Sequence, residues 1–182
     1  YSYRLFSAHI SGQWLSYFND QKRFVSLISR EVQKRLVIRL TRNDEGWDQL
    51  LRWQEFNPHL SIDSGMKPII KAYKKSRLVV TTNNGTTHLE SMALGIPTII
   101  FWNPEYWELS KDARLYYEKL KSVGIFHETP ESAAKKTLEV WNDVHSWWND
   151  KEVIKIKREF IRNYSHISDS LIKNLAETLS AK

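Results

Sequence analysis

The sequence predicts an α/β domain in which helices cover a parallel β-sheet. Helical segments with an apolar period of about 3.6 residues alternate with short apolar strands through most of the chain, a pattern typical of βαβ units. Glycine and proline stand where these elements should end. The length of 182 residues is enough to bury one good core, so we expect a single domain.

The strands are predicted from short runs rich in Val, Ile and Thr, which favour an extended backbone. They lie at residues 35–40, 59–62, 78–82, 97–102 and, as a brief last strand, 124–126. Pro97 opens the fourth strand, where a missing N–H is tolerated. Helices between the strands imply crossover connections and therefore parallel pairing.

The helices are predicted from periodic apolar positions and from start and stop signals. They lie at residues 21–33, 47–56, 67–75, 86–94, 108–123, 130–144, 150–163 and 167–179. Pro68 leads the third helix, and Gly95 and Gly124 end the fourth and fifth. Thr129 provides an N-cap before Pro130 at the first position of the sixth helix.

The domain organisation follows from these elements. Residues 1–128 should form the α/β core and residues 129–182 a helical extension of the same domain. The chain opens at Tyr1 and not at methionine, so we expect an upstream signal or domain to have been removed.

The composition limits the partners. Lys and Arg number 27 against 21 Asp and Glu, and the formal charge of +6 favours anionic ligands such as phosphates. The basic residues are interspersed with acidic ones and no zinc-finger or RNA-binding signature is present, which argues against nucleic acid. Peripheral contact with anionic lipid stays open. Because cysteine is absent, we expect no disulfide and a cytoplasmic setting, which includes the inner face of the membrane.

The stretch TTNNGTTHLESMALGIPTIIFW, residues 81–102, carries the chemistry. A strand that ends in a Gly-containing turn before a helix directs free backbone N–H groups at the carboxyl edge of the sheet, where anions bind. Asn83, Asn84 and Gly85 form the turn, and the hydroxyl groups that follow can donate to phosphate oxygens. Glu90 lies one turn after Thr86, where a carboxylate can accept hydrogen bonds from ribose hydroxyls.

Structural alternatives exist for the same residues. Thr87 and Glu90 match the S/T-x-x-E capping box, in which the carboxylate caps its own helix. Asn83 and Asn84 are also common turn formers. His88 is compatible with an ordinary surface position. The spacing alone therefore predicts an anion-receptive helix start and no particular ligand.

A resemblance makes the hypothesis more specific. The run SRLVVTTNNGTTHLESMALGIPTIIFW resembles the signature of the C-terminal domain of GT-B-type transferases, a Rossmann-like fold. FSAHISGQ, VIRL, YYEKLKSVGIFHETPESAA and WNDVHSWW, in that order, look like a family of transferases of bacterial surface-carbohydrate biosynthesis. A more distant similarity is to the glycerophosphotransferases of teichoic-acid synthesis.

The resemblance implies a donor site in this chain. Thr86 and Thr87 would hold the phosphates of a nucleotide-activated sugar, and Glu90 its ribose. Arg39, at the end of VIRL, matches a phosphate-binding position of related transferases, and Arg42 is a weaker second candidate. The alternative for Arg39 is an ion pair with Asp44 or Glu45. The carbohydrate acceptor would bind an N-terminal half that is missing here, and no cofactor is required.

Two further groups of residues, a histidine and three tryptophans, are candidates for a functional role. His9, in a loop before the first helix, is the catalytic candidate for proton transfer, against the alternative of an inert loop histidine. Trp141, Trp147 and Trp148 fit a core cluster, or a surface that packs against the missing half and could be covered by dimerisation. The histidines are dispersed without a carboxylate cluster, so no metal site is predicted.

The sequence is compatible with three classes of function. The first is the donor-binding half of a glycosyltransferase-like enzyme. The second is a non-catalytic module that binds a nucleotide or sugar phosphate. The third is a partner-binding α/β domain in which TTNNGTT is only a turn and a cap.

Overall fold

The structure, a computed structural model, describes residues 11–44 and 46–165. Five strands occur there: β1 Val37–Arg39, β2 Ser61–Asp63, β3 Val79–Thr81, β4 Thr98–Phe101 and β5 Phe126–His127. All pairs are parallel, β1 with β2 in one small sheet and β3, β4, β5 in that order in another. The predicted α/β class with parallel strands flanked by helices, Rossmann-like in kind, is confirmed, although the strands form two sheets.

The helices alternate with these strands. They are α1 Ser11–Leu27, α2 Arg30–Gln33, α3 Gln49–Phe56, α4 Ile69–Tyr73, α5 Thr87–Ala93, α6 Lys111–Ser122, α7 Pro130–Val140, α8 Val144–Trp148 and α9 Lys151–Tyr164. A 3-10 turn, Trp141–Asp143, separates α7 from α8. The helix predicted over 167–179 lies outside the described residues.

Two predicted helices are divided in the structure. The helix expected over 21–33 begins earlier and breaks after Leu27, because Ser29 caps a new helix by accepting a hydrogen bond from the Val32 N–H. The helix expected to reach residue 144 gives way to the 3-10 turn. Asp143 then caps α8 by accepting from the Ser146 N–H. In both places a side-chain cap outweighs the continuous apolar period.

Strand β4 divides the core into two layers. Ile99 and Phe101 pack into the cluster under α1 and α7, while Ile100 and Trp102 pack into the cluster under α5, α6 and α9. Successive side chains of a strand point to opposite faces, so a strand buried on both faces must be apolar throughout. This arrangement leaves the carboxyl ends of the strands as the edge that loops can line.

The tryptophans near α8 belong to the core. Trp148 is 3% exposed and donates from Nε1 to the Gly95 carbonyl at 3.0 Å. Trp147 is half-buried and donates to the Val123 carbonyl at 3.1 Å. Trp141 packs against the first cluster. The core interpretation of this group is therefore the one that the structure supports.

Candidate functional site

The candidate site lies at the carboxyl edge of the strands. The loops that follow β1, β2 and β3 begin there, and α5 starts from the last of them. In α/β folds this edge is where ligands bind, since short loops and helix starts expose backbone groups there.

Arg39 ends β1 and is held by its neighbours. Its Nη1 donates to Asp63 Oδ2 at 2.5 Å, and its Nη2 donates to the carbonyls of Gly65, at 3.0 Å, and of Lys67. The expected alternative, an ion pair, is thus present, but the partner is Asp63 and not Asp44. Glu45 lies outside the described residues.

These bonds use three of the five guanidinium N–H groups, including both on Nη2. The N–H of Nε and one on Nη1 remain, and they do not form the adjacent pair needed for a bidentate grip on phosphate. Arg39 therefore offers a fixed positive charge and single hydrogen bonds. Arg42 is exposed, and its side chain has no hydrogen bond or ion pair with any described residue. None of its five N–H donors is therefore used by a described residue.

Asp63 ends β2 and shapes the loop after it. Its Oδ1 accepts from the Gly65 N–H at 3.0 Å. This backbone hydrogen bond, with a further contribution from Arg39, holds the pKa of the Asp63 carboxyl below its usual range. A Cβ on Gly65, whose φ is +77°, would overlap the Leu40 carbonyl oxygen. The loop is therefore drawn tightly against the end of β1.

Tyr73, the last residue of α4, connects this loop region to α5. It is 3% exposed, and its hydroxyl donates to the main-chain carbonyl of Thr87 at 3.0 Å. Burial, with the nearby Glu90 carboxylate, raises the pKa of Tyr73 to about 12, against an opposing effect of Arg39. The charges of Arg39 and Glu90, two of the predicted ligand-binding residues, thus both act on the Tyr73 phenol.

The first turn of α5 is open to a ligand. Thr86 occupies the N-cap, but its side chain caps no helix N–H. The capping box suggested by the sequence is not formed: Thr87 is the first helical residue, and Glu90 is exposed without a hydrogen bond to a described residue. Because α5 has only seven residues, its dipole is weaker than a full-length helix would supply.

The turn before α5 is closed by its own side chain. Asn83 Oδ1 accepts from the Gly85 N–H at 3.0 Å, which makes Asn83 the turn former that one interpretation expected. The Gly85 N–H is therefore already hydrogen-bonded within the turn and is not available to a ligand. Asn84 is half-buried, and its side chain has no hydrogen-bond partner among the described residues.

Helix α1 is attached to the same loop. The Tyr17 hydroxyl lies 2.8 Å from Thr82 Oγ1, and Gln21 Nε2 donates to the same oxygen at 2.7 Å. Burial raises the pKa of Tyr17. These contacts fix the loop relative to α1, whose preceding segment includes His9. His9 itself lies outside the described residues.

His88 was expected to be a surface residue, and this is wrong. It is 1% exposed, with Nε2 at 2.7 Å from the Tyr117 hydroxyl and its ring among Trp102 and Phe160. Burial lowers its pKa to about 4. The side chain opposite Glu90 on α5 is thus part of the core and faces away from the site.

Comparison with known families identifies the chain. The profile described as LIC12162 family transferase matches residues 1–179. The chain belongs to the LIC12162 family of transferases. Comparisons with curated proteins and with solved structures find no match.

In this LIC12162 family transferase Arg39 and Glu90 both lie near enough to Tyr73 to shift its pKa, in opposite directions. Among the described residues no group of three or more His, Asp or Glu is placed to hold a metal ion. No helix in that part of the chain is long and apolar enough to cross a membrane.

Sequence reasoning missed four polar residues of this transferase. Asp63 could have been found, because it directly follows a predicted strand, at the edge where Arg39 lies near the end of another. Tyr17, Gln21 and Tyr73 lie within helices and carry no local signal. Their contacts depend on how α1 and α4 pack.

Proposed function

We propose that this chain is the donor-binding part of a GT-B-type glycosyltransferase-like enzyme. It would bind a nucleotide-activated sugar and support transfer of the sugar, or a sugar-like group, to a carbohydrate acceptor of the cell surface. The acceptor would bind a separate N-terminal half. Family membership supports the transferase class, and the grouping of Arg39, Tyr73 and Glu90 beside the open turn of α5 carries the donor-site assignment.

The donor phosphates fit the first turn of α5. Its backbone N–H groups are uncapped, and the hydroxyls of Thr86 and Thr87 lie at the same helix start. Negative charge that develops on the leaving nucleotide would be stabilised by these preorganised donors and by Arg39. Arg42, whose guanidinium has no partner among the described residues, is suited to bind a phosphate through two hydrogen bonds.

The ribose fits Glu90. Its carboxylate is exposed on α5 one turn from Thr86 and is not engaged by another described residue. A carboxylate in that state can accept two hydrogen bonds from vicinal hydroxyls. Tyr73 lies near the same carboxylate, but its ring is buried, so Glu90 is the group that would meet the ribose.

The site is tested by thermal stabilisation with a panel of CMP, CDP, UDP and GDP sugars. At least one should raise the melting temperature of the chain, because a ligand that binds only the folded state stabilises it. Glu90→Ala and Arg42→Ala should each weaken this stabilisation, and Glu118→Ala, an exposed carboxylate on α6, should not. A panel without any shift would reject the donor site. Equal binding by all variants would reject the residue assignments only.

Turnover separates the enzyme from a binding module. A longer protein of the same family that carries an N-terminal half should release the nucleotide from the activated sugar that stabilises this chain. Binding without release, in the presence of an acceptor extract, would favour the non-catalytic alternative. Binding of a protein partner without any nucleotide effect would favour the third class, the partner-binding domain.

A further inference from the structure

One face of helix α9 carries a row of exposed cations. Lys151, Lys155, Arg158 and Arg162 are all exposed and follow one another at spacings of four, three and four residues. At about 100° per residue this spacing places them within about 60° of one another around the helix. The row, here called the α9 basic stripe, extends about 16 Å along the axis.

The charge of the α9 basic stripe is largely uncompensated. Lys155 lies 3.7 Å from Glu152, and both side chains are about 70% exposed, which makes this a weak pair. Lys151, Arg158 and Arg162 form no hydrogen bond or ion pair with any described residue. Glu159, the other carboxylate on the helix, is engaged by Lys119 of α6 at 2.7 Å.

The stripe is held rigidly on the surface of the fold. On the opposite side of α9, Val153 and Phe160 are 3% and 1% exposed in the second core cluster. Ile154 and Ile161 are half-buried along one border of the stripe. The helix therefore keeps its cations on the surface in one line. Ile154 and Ile161 form an aliphatic margin beside that line.

We propose that the α9 basic stripe docks this protein on an anionic lipid surface. A straight row of cations on a convex helix meets a flat array of headgroup phosphates at one height, and the aliphatic margin can approach the acyl boundary. The apolar face of α9 is committed to the core, so attachment would be electrostatic and reversible. A nucleic acid is less well matched, because Tyr164, the exposed aromatic side chain of α9, lies more than 100° around the helix from every cation of the stripe and cannot stack bases beside them.

The test uses the whole chain and vesicles of phosphatidylcholine with and without phosphatidylglycerol. The wild-type protein should sediment with the anionic vesicles only, and raising the salt from about 0.05 M to about 0.5 M should release it. Each cation should contribute about fivefold to the partition coefficient, which corresponds to ~1 kcal/mol. Replacement of all four stripe residues by Gln should therefore reduce binding by about two orders of magnitude or more.

A matched variant controls for net charge. Changing Lys34, Arg35, Lys75 and Lys135 to Gln removes the same four charges from exposed positions away from α9, so both variants have a formal charge of +6 − 4 = +2. This control should retain most of the binding. Far-UV circular dichroism and thermal melts establish that both variants are folded.

Three results would overturn the proposal. The first is absence of binding to anionic vesicles at low salt. The second is equal loss of binding in the stripe and control variants, which would indicate a general charge effect. The third is tighter, stripe-dependent binding of a DNA or RNA duplex than of anionic vesicles, which would assign the stripe to nucleic acid. None of these depends on nucleotide-sugar binding, so the donor site stands or fails separately.

Discussion

Arg39 and Asp63 are register partners at the ends of two parallel strands, and their side chains form an ion pair with Nη1 and Oδ2 2.5 Å apart. The same guanidinium donates to two carbonyls of the loop after β2, and the same carboxylate accepts from the Gly65 N–H. One pair of side chains therefore ties two strand ends and a loop together. The loop in turn leads to α4 and Tyr73.

Removal of the Asp63 carboxylate should destabilise the protein. Asp63→Ala leaves the Arg39 guanidinium and the Gly65 N–H without their acceptor, at a cost of ~1–3 kcal/mol in the free energy of unfolding. Asp63→Asn should cost less because its amide oxygen can still accept from Gly65. Urea denaturation measures both. Glu55→Ala, an exposed position on α3, should change stability by no more than ~0.5 kcal/mol. Similar values for Asp63→Ala and Glu55→Ala would contradict the role of the pair.

Gly65 should tolerate alanine less well than Gly95. Both have positive φ, +77° and +74°, so both variants pay the cost of a left-handed backbone, ~1–2 kcal/mol. Only at Gly65 would the new Cβ overlap a backbone atom, the Leu40 carbonyl oxygen. We expect the free energy of unfolding of Gly65→Ala, measured by urea denaturation, to be lower than that of Gly95→Ala by ~1–3 kcal/mol. Equal costs would mean that the loop can move away from β1.

The buried His88 should make stability depend on pH. Burial lowers its pKa from 6.5 to about 4 in the folded protein, so between these values the unfolded chain binds the extra proton. The contribution of the neutral His88 to the free energy of unfolding is fully present above pH 6.5 and is lost as the pH falls toward 4. Its full size is ~3 kcal/mol, at ~1.4 kcal/mol per pH unit.

The double variant His88→Phe with Tyr117→Phe isolates this effect. It removes both partners of a buried hydrogen bond, so neither polar atom is left unpaired. His127, whose pKa is also lowered by burial, keeps titrating in both proteins. The free energy of unfolding of the variant should therefore fall less steeply than that of the wild type between pH 6.5 and 4. Parallel curves would show that His88 does not carry the dependence.

Tyr17 and Thr82 should be energetically coupled. Tyr17→Phe and Thr82→Val each remove one hydroxyl of a 2.8 Å contact, and a double-mutant cycle should give a coupling of ~0.5–1.5 kcal/mol. The pair Tyr17→Phe with Thr137→Val, which share no hydrogen bond, should be additive. Additive effects of Tyr17→Phe and Thr82→Val would show that this hydrogen bond does not couple α1 to the loop after β3.

The carboxyl-edge location of the site could be predicted from local sequence. The turn after β3 and the start of α5 depend on neighbouring residues, Asn83 and Gly85 for the turn and Gly95 for the helix end. Such signals depend on a few neighbouring residues, so they can be recognised in the sequence without knowledge of the fold. The assignments of ligand roles to Arg39, Arg42, Thr86, Thr87 and Glu90 stay predictions.

The partners of these residues could not be predicted in the same way. The ion pair of Arg39 joins residues 24 positions apart, and the contact of Tyr17 with Thr82 spans 65 positions. His88 has the sequence surroundings of an exposed helix residue, yet packing of α6 and α9 over α5 buries it. No local propensity contains this information, because burial is a property of the assembled layers.

The sequence by itself determined the order of strands and helices, the parallel class of the sheet and the turn that opens α5. The apolar period, the capping residues and the glycine conformations each depend on a few neighbouring residues, so they can be predicted from local sequence. Only the tertiary structure decided that Arg39 is held by Asp63, that Glu90 lies near Tyr73 without a partner among the described residues, and that α9 exposes a largely uncompensated row of cations. Those outcomes depend on which surfaces meet when the two core layers close on β4, and contacts between distant segments set them.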